Sequence, residues 1–185
     1  MIHHSSAWPR SLGSLATPLG KGILGATTVE SIVQSDHLTR FRDKYFDCRG
    51  RILNLRVLVI NSSAETMHDT HLILTLRTHV VVEADSSSVA EAMVHHALTA
   101  ESFGSDRAGF QVIVVGREVG GESAAAVAER MRAVGFDGMI IEMHDSPPNP
   151  VDLCIFKQRG GDFFLQQPFF SFQVFWATIT GTIQR

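Results

Sequence analysis

Cysteine is scarce in this chain, long apolar runs are absent, and neither sign of charge dominates. The two cysteines, Cys48 and Cys154, form neither a CxxC pair nor a zinc-binding spacing. No disulfide between them follows from spacing alone, and two reduced thiols in a cytoplasmic protein are the expectation. No uninterrupted apolar stretch approaches the roughly 20 residues that cross a bilayer, so neither a membrane span nor a membrane partner is expected. Lys plus Arg number 16 against 19 Asp plus Glu, a formal net charge of -3. A field that weak draws the chain to neither nucleic acid nor anionic lipid, and any partner must be recognised locally.

What is present is enough for a folded core. The 185 residues are 44% hydrophobic and 19% charged, which fits one domain of ordinary size plus an extension. Residues 1–28 contain no acidic residue, are rich in Ser, Thr, Gly and Ala, and carry Pro9 and Pro18 as breakers. Residues 1–55 are therefore read as an N-terminal extension, partly disordered, and 56–185 as the domain. Arg10 alone falls short of the several arginines a transit peptide carries. Within the extension, Val29, Ile32, Val33, Leu38, Phe41 and Tyr45 recur near helical spacing, so a short helix or two leads into the domain.

From residue 56 onward, strand and helix patterns alternate. The apolar run 57–60 suits a strand covered on both faces of a parallel sheet. A helix over 64–77 follows, with Met67, His71, Leu72, Leu74 and Leu76 on a broad face. Residues 80–84 form a second strand. Asp85 and Ser86, Ser87 and Ser88 offer N-caps for a helix through Val89, Ala92, Met93 and His96. Residues 101–109 read as a surface loop, 110–115 as the third strand, 122–134 as the third helix and 139–143 as the fourth strand. The prolines of SPPNP at 146–150 exclude a helix interior there, which leaves a short fourth helix over 151–158. A fifth strand over 162–165 and a last helix over 171–183 complete the pattern. Strands alternating with helices imply a parallel sheet with helices on both faces.

The order and spacing of VLVINSS (57–63), VIVVG (112–116), MIIEMH (139–144) and GGDFFLQQPF (160–169) resemble those of a two-component receiver domain. AVGFDGMIIEMH resembles the family's passage from helix through turn to fourth strand. GGDFFLQQPF resembles the phrase Gly-Ala-Asp-Asp-Phe-Leu-x-Lys-Pro-Phe. The likeness runs from Arg56 to about Ile183 and implies a three-layer, flavodoxin-like, doubly wound fold with a five-stranded parallel sheet.

The resemblance also says which residues stand where the family keeps its chemistry. Asn61 and Ser62 occupy the places of the acidic pair, Gly116 that of the phospho-acceptor Asp, His144 that of the switch Thr or Ser, and Gln167 that of the Lys before Pro168. Magnesium wants charged oxygen ligands, and Asn61 and Ser62 offer neutral ones. Gly116 has no side chain to phosphorylate. Gln167 brings no positive charge to a transferring phosphoryl group. The ring of His144 is expected to fill vacated space, and Glu118 and Glu142 are read as solvated or loop-capping carboxylates rather than substitute acceptors. The resemblance thus implies a degenerate receiver, or pseudo-receiver, with no catalytic residues, no metal and no cofactor.

Other groupings yield to plainer readings. His68 and His71 have a chelating spacing on the first helix but lack a third ligand, and His95 and His96 fall on different helix faces. Gly116, Gly120 and Gly121 lack the Lys of a phosphate-binding loop, since Glu122 follows them. Aromatic residues crowd the end of the chain, where Phe163, Phe164, Phe169, Phe170, Phe172, Phe175 and Trp176 fall together. Phe170, Phe172, Phe175 and Trp176 are candidates for a partner-binding face. The partner implied is a signalling protein, namely a histidine kinase, a response regulator or an output domain, or a second copy of the chain. The alternative is a flavodoxin-like small-ligand-binding domain or enzyme with its site at the carboxyl ends of the strands, around Asn61, Gly116 and His144.

Overall fold

Three runs rich in Val and Ile, RVLVI, VIVVG and MIIEMH, form the middle of the sheet because side chains on both of their faces are covered. The computed structural model describes residues 39–41, 43–45, 55–75, 80–102, 109–166 and 177. In chain order the elements are β1 (Arg56–Ile60), α1 (Ala64–Thr75), β2 (Val80–Ala84), α2 (Ser87–Ser102), β3 (Val112–Gly116), β4 (Glu118–Val119), β5 (Glu122–Ser123), α3 (Ala124–Ala133), β6 (Met139–His144), α4 (Pro150–Gln158) and β7 (Phe163–Gln166). The main sheet has five strands in the order β2-β1-β3-β6-β7. Every pairing within it is parallel. The order reverses between β1 and β3, which is the switch point of an open α/β sheet.

Strand alternation sorts the core into two layers. Leu58, Ile60, Ile113, Val115 and Ile140 pack against Ala90 and Val94 of α2, Val127 and Met131 of α3, and Phe156 of α4. Val57, Val59, Val112, Val114, Ile141 and Met143 pack on the opposite face, against Leu74 of α1 and against Phe41. Residues 39–41 and 43–45 are helical, in line with the spacing of Leu38, Phe41 and Tyr45. Phe41 is only 2% exposed, and Lys44 Nζ donates to Asp137 Oδ2 at 2.7 Å. Burial opposes the charge on Lys44, but the hydrogen bonds to Asp137 and Tyr45 outweigh it and raise its pKa. The apolar stripe ahead of the sheet thus supplies core.

Local chemistry sets the helix starts. Ser123 caps α3 by accepting from Ala126 N at 3.3 Å, and Asn149 caps α4 by accepting from Val151 N at 2.9 Å, with Pro150 in the first turn. Arg132 pins the far ends of β6 and β7. Its guanidinium donates to the carbonyls of Phe136, Gly138 and Gly160 and to Asp162 Oδ2, which also accepts from Ile140 N. Such charge-assisted bonds fix geometry as well as energy.

Among the secondary-structure elements, the structure departs from the sequence reading at the 118–123 segment and at the end of α2. Residues 118–123 are not plain loop and helix start but a hairpin, with Glu118 paired to Ser123 and Val119 to Glu122. Gly120 and Gly121 have φ of 59 and 85, so the two-residue turn takes the form that only residues free of a Cβ adopt readily. Helix α2 also runs on through Glu101 and Ser102, which the sequence reading assigned to a loop. The last helix over 171–183 falls outside the described residues except for Ala177, which is helical.

Candidate functional site

Two sets of polar side chains gather at the carboxyl end of the sheet, and they lie on opposite faces of it. The first set is Asn61 and Gly116. Ile60 of β1 is in register with Val115 of β3, so Asn61 and Gly116 are the next pair along the two strands. Asn61 is buried; its N donates to Ala84 O at 3.1 Å and its Oδ1 accepts from Ser63 N at 2.9 Å. A Cβ built on Gly116 would lie 2.8 Å from Asn61 Nδ2 and 3.0 Å from its Cγ. The Asn61 amide therefore occupies the space into which a side chain at 116 would grow. Ser62 is exposed beside it.

The second set is Glu142 and His144. Ile140 belongs to the layer that packs on α2, α3 and α4, and residues two and four further along a strand share its face. The His144 ring accordingly lies across the sheet from Gly116, and Asn61 rather than His144 takes up the room there. His144 Nε2 pairs with Glu142 Oε1, with side-chain exposures of 2% and 7%. The His144 ring also meets Phe164 edge-on, at 4.9 Å between centroids and 72° between planes. Glu142 is thus neither solvated nor a loop cap. It is a buried carboxylate, because the strand carrying it is central and covered on both faces. Glu118, by contrast, is exposed on β4.

A cavity of about 420 Å³ opens beside the second set. The β4–β5 hairpin and the start of α3 form one wall, and Asp152, Ile155 and Phe156 of α4 form the other, with Glu142 and His144 between them. Burial pushes the pKa of Glu142 up, and Asp152 adds to the rise, while His144 and Arg117 pull against it. The arrangement can accept hydrogen bonds and hold positive charge. Among the described residues no group of three His, Cys, Asp or Glu side chains is placed to hold a metal ion. His68 is exposed, and His71 Nδ1 lies 2.7 Å from Glu83 Oε1. Gln167, Phe170, Phe172, Phe175 and Trp176 lie outside the described residues.

Of the positions singled out in the sequence, the fold brings Asn61 and Gly116 together and sets His144 apart. Sequence reasoning missed the Glu142–His144 pair, though spacing by two within a strand was the available signal. It also missed Asp152 and Arg117, whose proximity depends on how α4 and the hairpin pack.

No protein-family profile matches the chain, and no curated protein matches it in sequence. Solved structures do. The receiver domain of the histidine kinase CKI1 from Arabidopsis thaliana, complexed with Mg²⁺ and BeF₃⁻, superposes with a TM-score of 0.61 at 21% identity, over 69% of this chain and 90% of that one. A two-component response regulator from Clostridium difficile superposes with a TM-score of 0.52 at 14% identity, over 71% of this chain and 97% of that one. The beryllofluoride-activated NtrC4 receiver domain dimer gives 0.55 at 19% identity, over 68% of this chain and 93% of that one. The fold is that of a receiver domain, flavodoxin-like with an all-parallel five-stranded sheet.

Proposed function

We propose that this chain is a pseudo-receiver: a receiver-type signalling module that takes no phosphoryl group at Gly116 and acts by protein–protein interaction in a two-component or phosphorelay-type pathway. One observation carries the reading. The position at the end of β3 is a glycine, and the Asn61 amide stands where an acceptor side chain would project. Asn61 and Ser62 then replace the acidic pair, His144 the switch hydroxyl and Gln167 the lysine, so the metal ligands, the nucleophile and the positive charge are lost together. The module is not an enzyme in this reading, and it needs no cofactor. It works in the cytoplasm. Its partner is a histidine kinase, a response regulator, an output domain or a second copy of itself, and it binds neither nucleic acid nor membrane. No helix among the described residues is long and apolar enough to cross a membrane. Residues 1–55 serve as an extension and 56–185 as the receiver-like domain, with Phe41 anchoring the one to the other.

The test is chemical. Incubation with acetyl phosphate and Mg²⁺ is expected to leave the mass of the intact protein unchanged, and beryllofluoride is expected to leave the amide resonance of Gly116 in place. A stoichiometric, acid-labile adduct would overturn the reading. Docking is tested separately: charged substitutions at Phe170 or Phe172 are expected to abolish association in sedimentation while the circular dichroism melt stays cooperative. A second reading, that of a small-ligand-binding domain, is favoured by the cavity beside Glu142 and His144.

A further inference from the structure

The cavity between the β4–β5 hairpin and α4 shares only His144 with the pseudo-receiver reading, whose main observation, Asn61 against Gly116, lies on the opposite face of the sheet. Its lining carries three carboxylates, those of Glu118, Glu142 and Asp152, against the single guanidinium of Arg117. Glu142 is the informative one. Its side chain is more than nine-tenths buried, and one of its oxygens is engaged by His144 Nε2. The other oxygen receives no hydrogen bond among the described residues and is not one of the fully buried unpartnered polar atoms, so it faces the cavity. Arg117 is exposed and reaches Glu142 only through space.

A carboxylate oxygen that borders a cavity while the other oxygen is held by an imidazole is placed to accept from the N–H donors of an entering cation. Ile155 and Phe156 supply an apolar wall on the same cavity, along which the methylenes of a long cationic side chain can lie while its head reaches the carboxylates. The volume of about 420 Å³ falls within the range of small-ligand pockets, roughly 300 to 1,000 Å³.

We propose that this cavity binds an organic cation, a guanidinium or primary ammonium group on an aliphatic stem, with Glu142 and Asp152 as its acceptors. The group belongs either to a free small amine or to an arginine or lysine side chain of another protein. In both cases the chemistry at Glu142 is the same: the unpartnered carboxylate oxygen accepts from the incoming N–H donors while His144 holds the other oxygen in place.

Agmatine is the probe, with N-butylurea as its uncharged counterpart, and the readouts are nuclear magnetic resonance titration and calorimetry on the full chain. Agmatine is expected to give a saturable shift at His144, Phe156 and Gly121, and the urea none. Glu142→Gln keeps the shape of the side chain and is expected to weaken agmatine at least roughly tenfold. Asp152→Asn, on the outer wall, is expected to weaken it by roughly threefold and serves as the deciding variant should Glu142→Gln fail to fold in a thermal melt. Equal binding of agmatine and the urea, absence of saturation, or undiminished affinity in a folded variant of either residue would overturn the proposal. A short peptide with one internal arginine identifies the source: tighter binding than agmatine assigns the site to a protein side chain, weaker binding to a free amine.

Discussion

Asn61 with Gly116, and Glu142 with His144, sit at the same end of one sheet and differ in every physical respect. The first corner is closed. A neutral amide covers a glycine, its Oδ1 accepting from Ser63 N, while the backbone N of Asn61 donates to Ala84 O. The second corner is charged and borders open space, with a buried carboxylate, a buried imidazole and a cavity beside them. A neutral side chain costs less to bury than a carboxylate, which is costly unless it is paired. The contrast shows that the corner a receiver resemblance marks for attention is filled by a neutral amide, and that the buried ionisable pair lies across the sheet.

The largest effect is expected where the contrast is steepest. His144→Ala leaves Glu142 buried without its partner and is expected to cost roughly 3 to 5 kcal/mol in a urea melt at neutral pH. Replacing both members together, Glu142→Leu with His144→Phe, is expected to cost less than His144→Ala alone, since apolar side chains need no pairing. A loss under about 1 kcal/mol in His144→Ala would show that the two corners do not differ in this way.

A smaller effect is expected at the closed corner. Gly116→Ala forces its Cβ against Asn61 and is expected to cost roughly 1 to 3 kcal/mol. Asn61→Ala in the same chain removes the obstruction, so the double variant is expected to be more stable than the sum of the single losses predicts. Gly116→Asp meets the same obstruction and is expected to take no phosphoryl group from acetyl phosphate by mass. Additive losses, or a phosphorylated single Asp variant, would mean that Asn61 does not fill this space.

The smallest effect sharpens the electrostatic half of the comparison. Burial raises the pKa of Glu142 above its ordinary 4.5, with Asp152 pushing the same way and His144 and Arg117 opposing. The folded state therefore binds this proton more tightly than the unfolded state does. Stability contributed here is present below pH 4.5 and declines as pH rises through the folded value. Subtracting the pH profile of Glu142→Gln from that of the wild type is expected to leave this decline. A difference that rises with pH instead would mean that the carboxylate is stabilised, not strained, by its site.

How much of this was readable beforehand follows from the length scale of each feature. The five strands of the main sheet were legible because a parallel strand covered on both faces is a continuous apolar run, as in VLVI and VIVV. The start of α4 was legible because Pro150 permits a helix to begin where it forbids one to continue. The β4–β5 hairpin was not, since two-residue strands show no periodicity and only Gly120 and Gly121 hinted at a turn. Glu142 was misread as solvated because a charge near a strand end usually is, and the covering of β6 by α3 and α4 made it otherwise.

Sequence alone determined the fold class, the alternation of strands and helices that implies a parallel sheet, and the identity of the residue at the end of β3, because these depend on local composition and on the sense of the chain. Tertiary structure decided that Asn61 lies against Gly116, that Glu142 and His144 share a buried face, and that α4 and the hairpin leave a cavity beside them. Those relations depend on inter-strand register and on helix placement. Both are set by the packing of side chains far apart in the chain, which no local window of sequence contains.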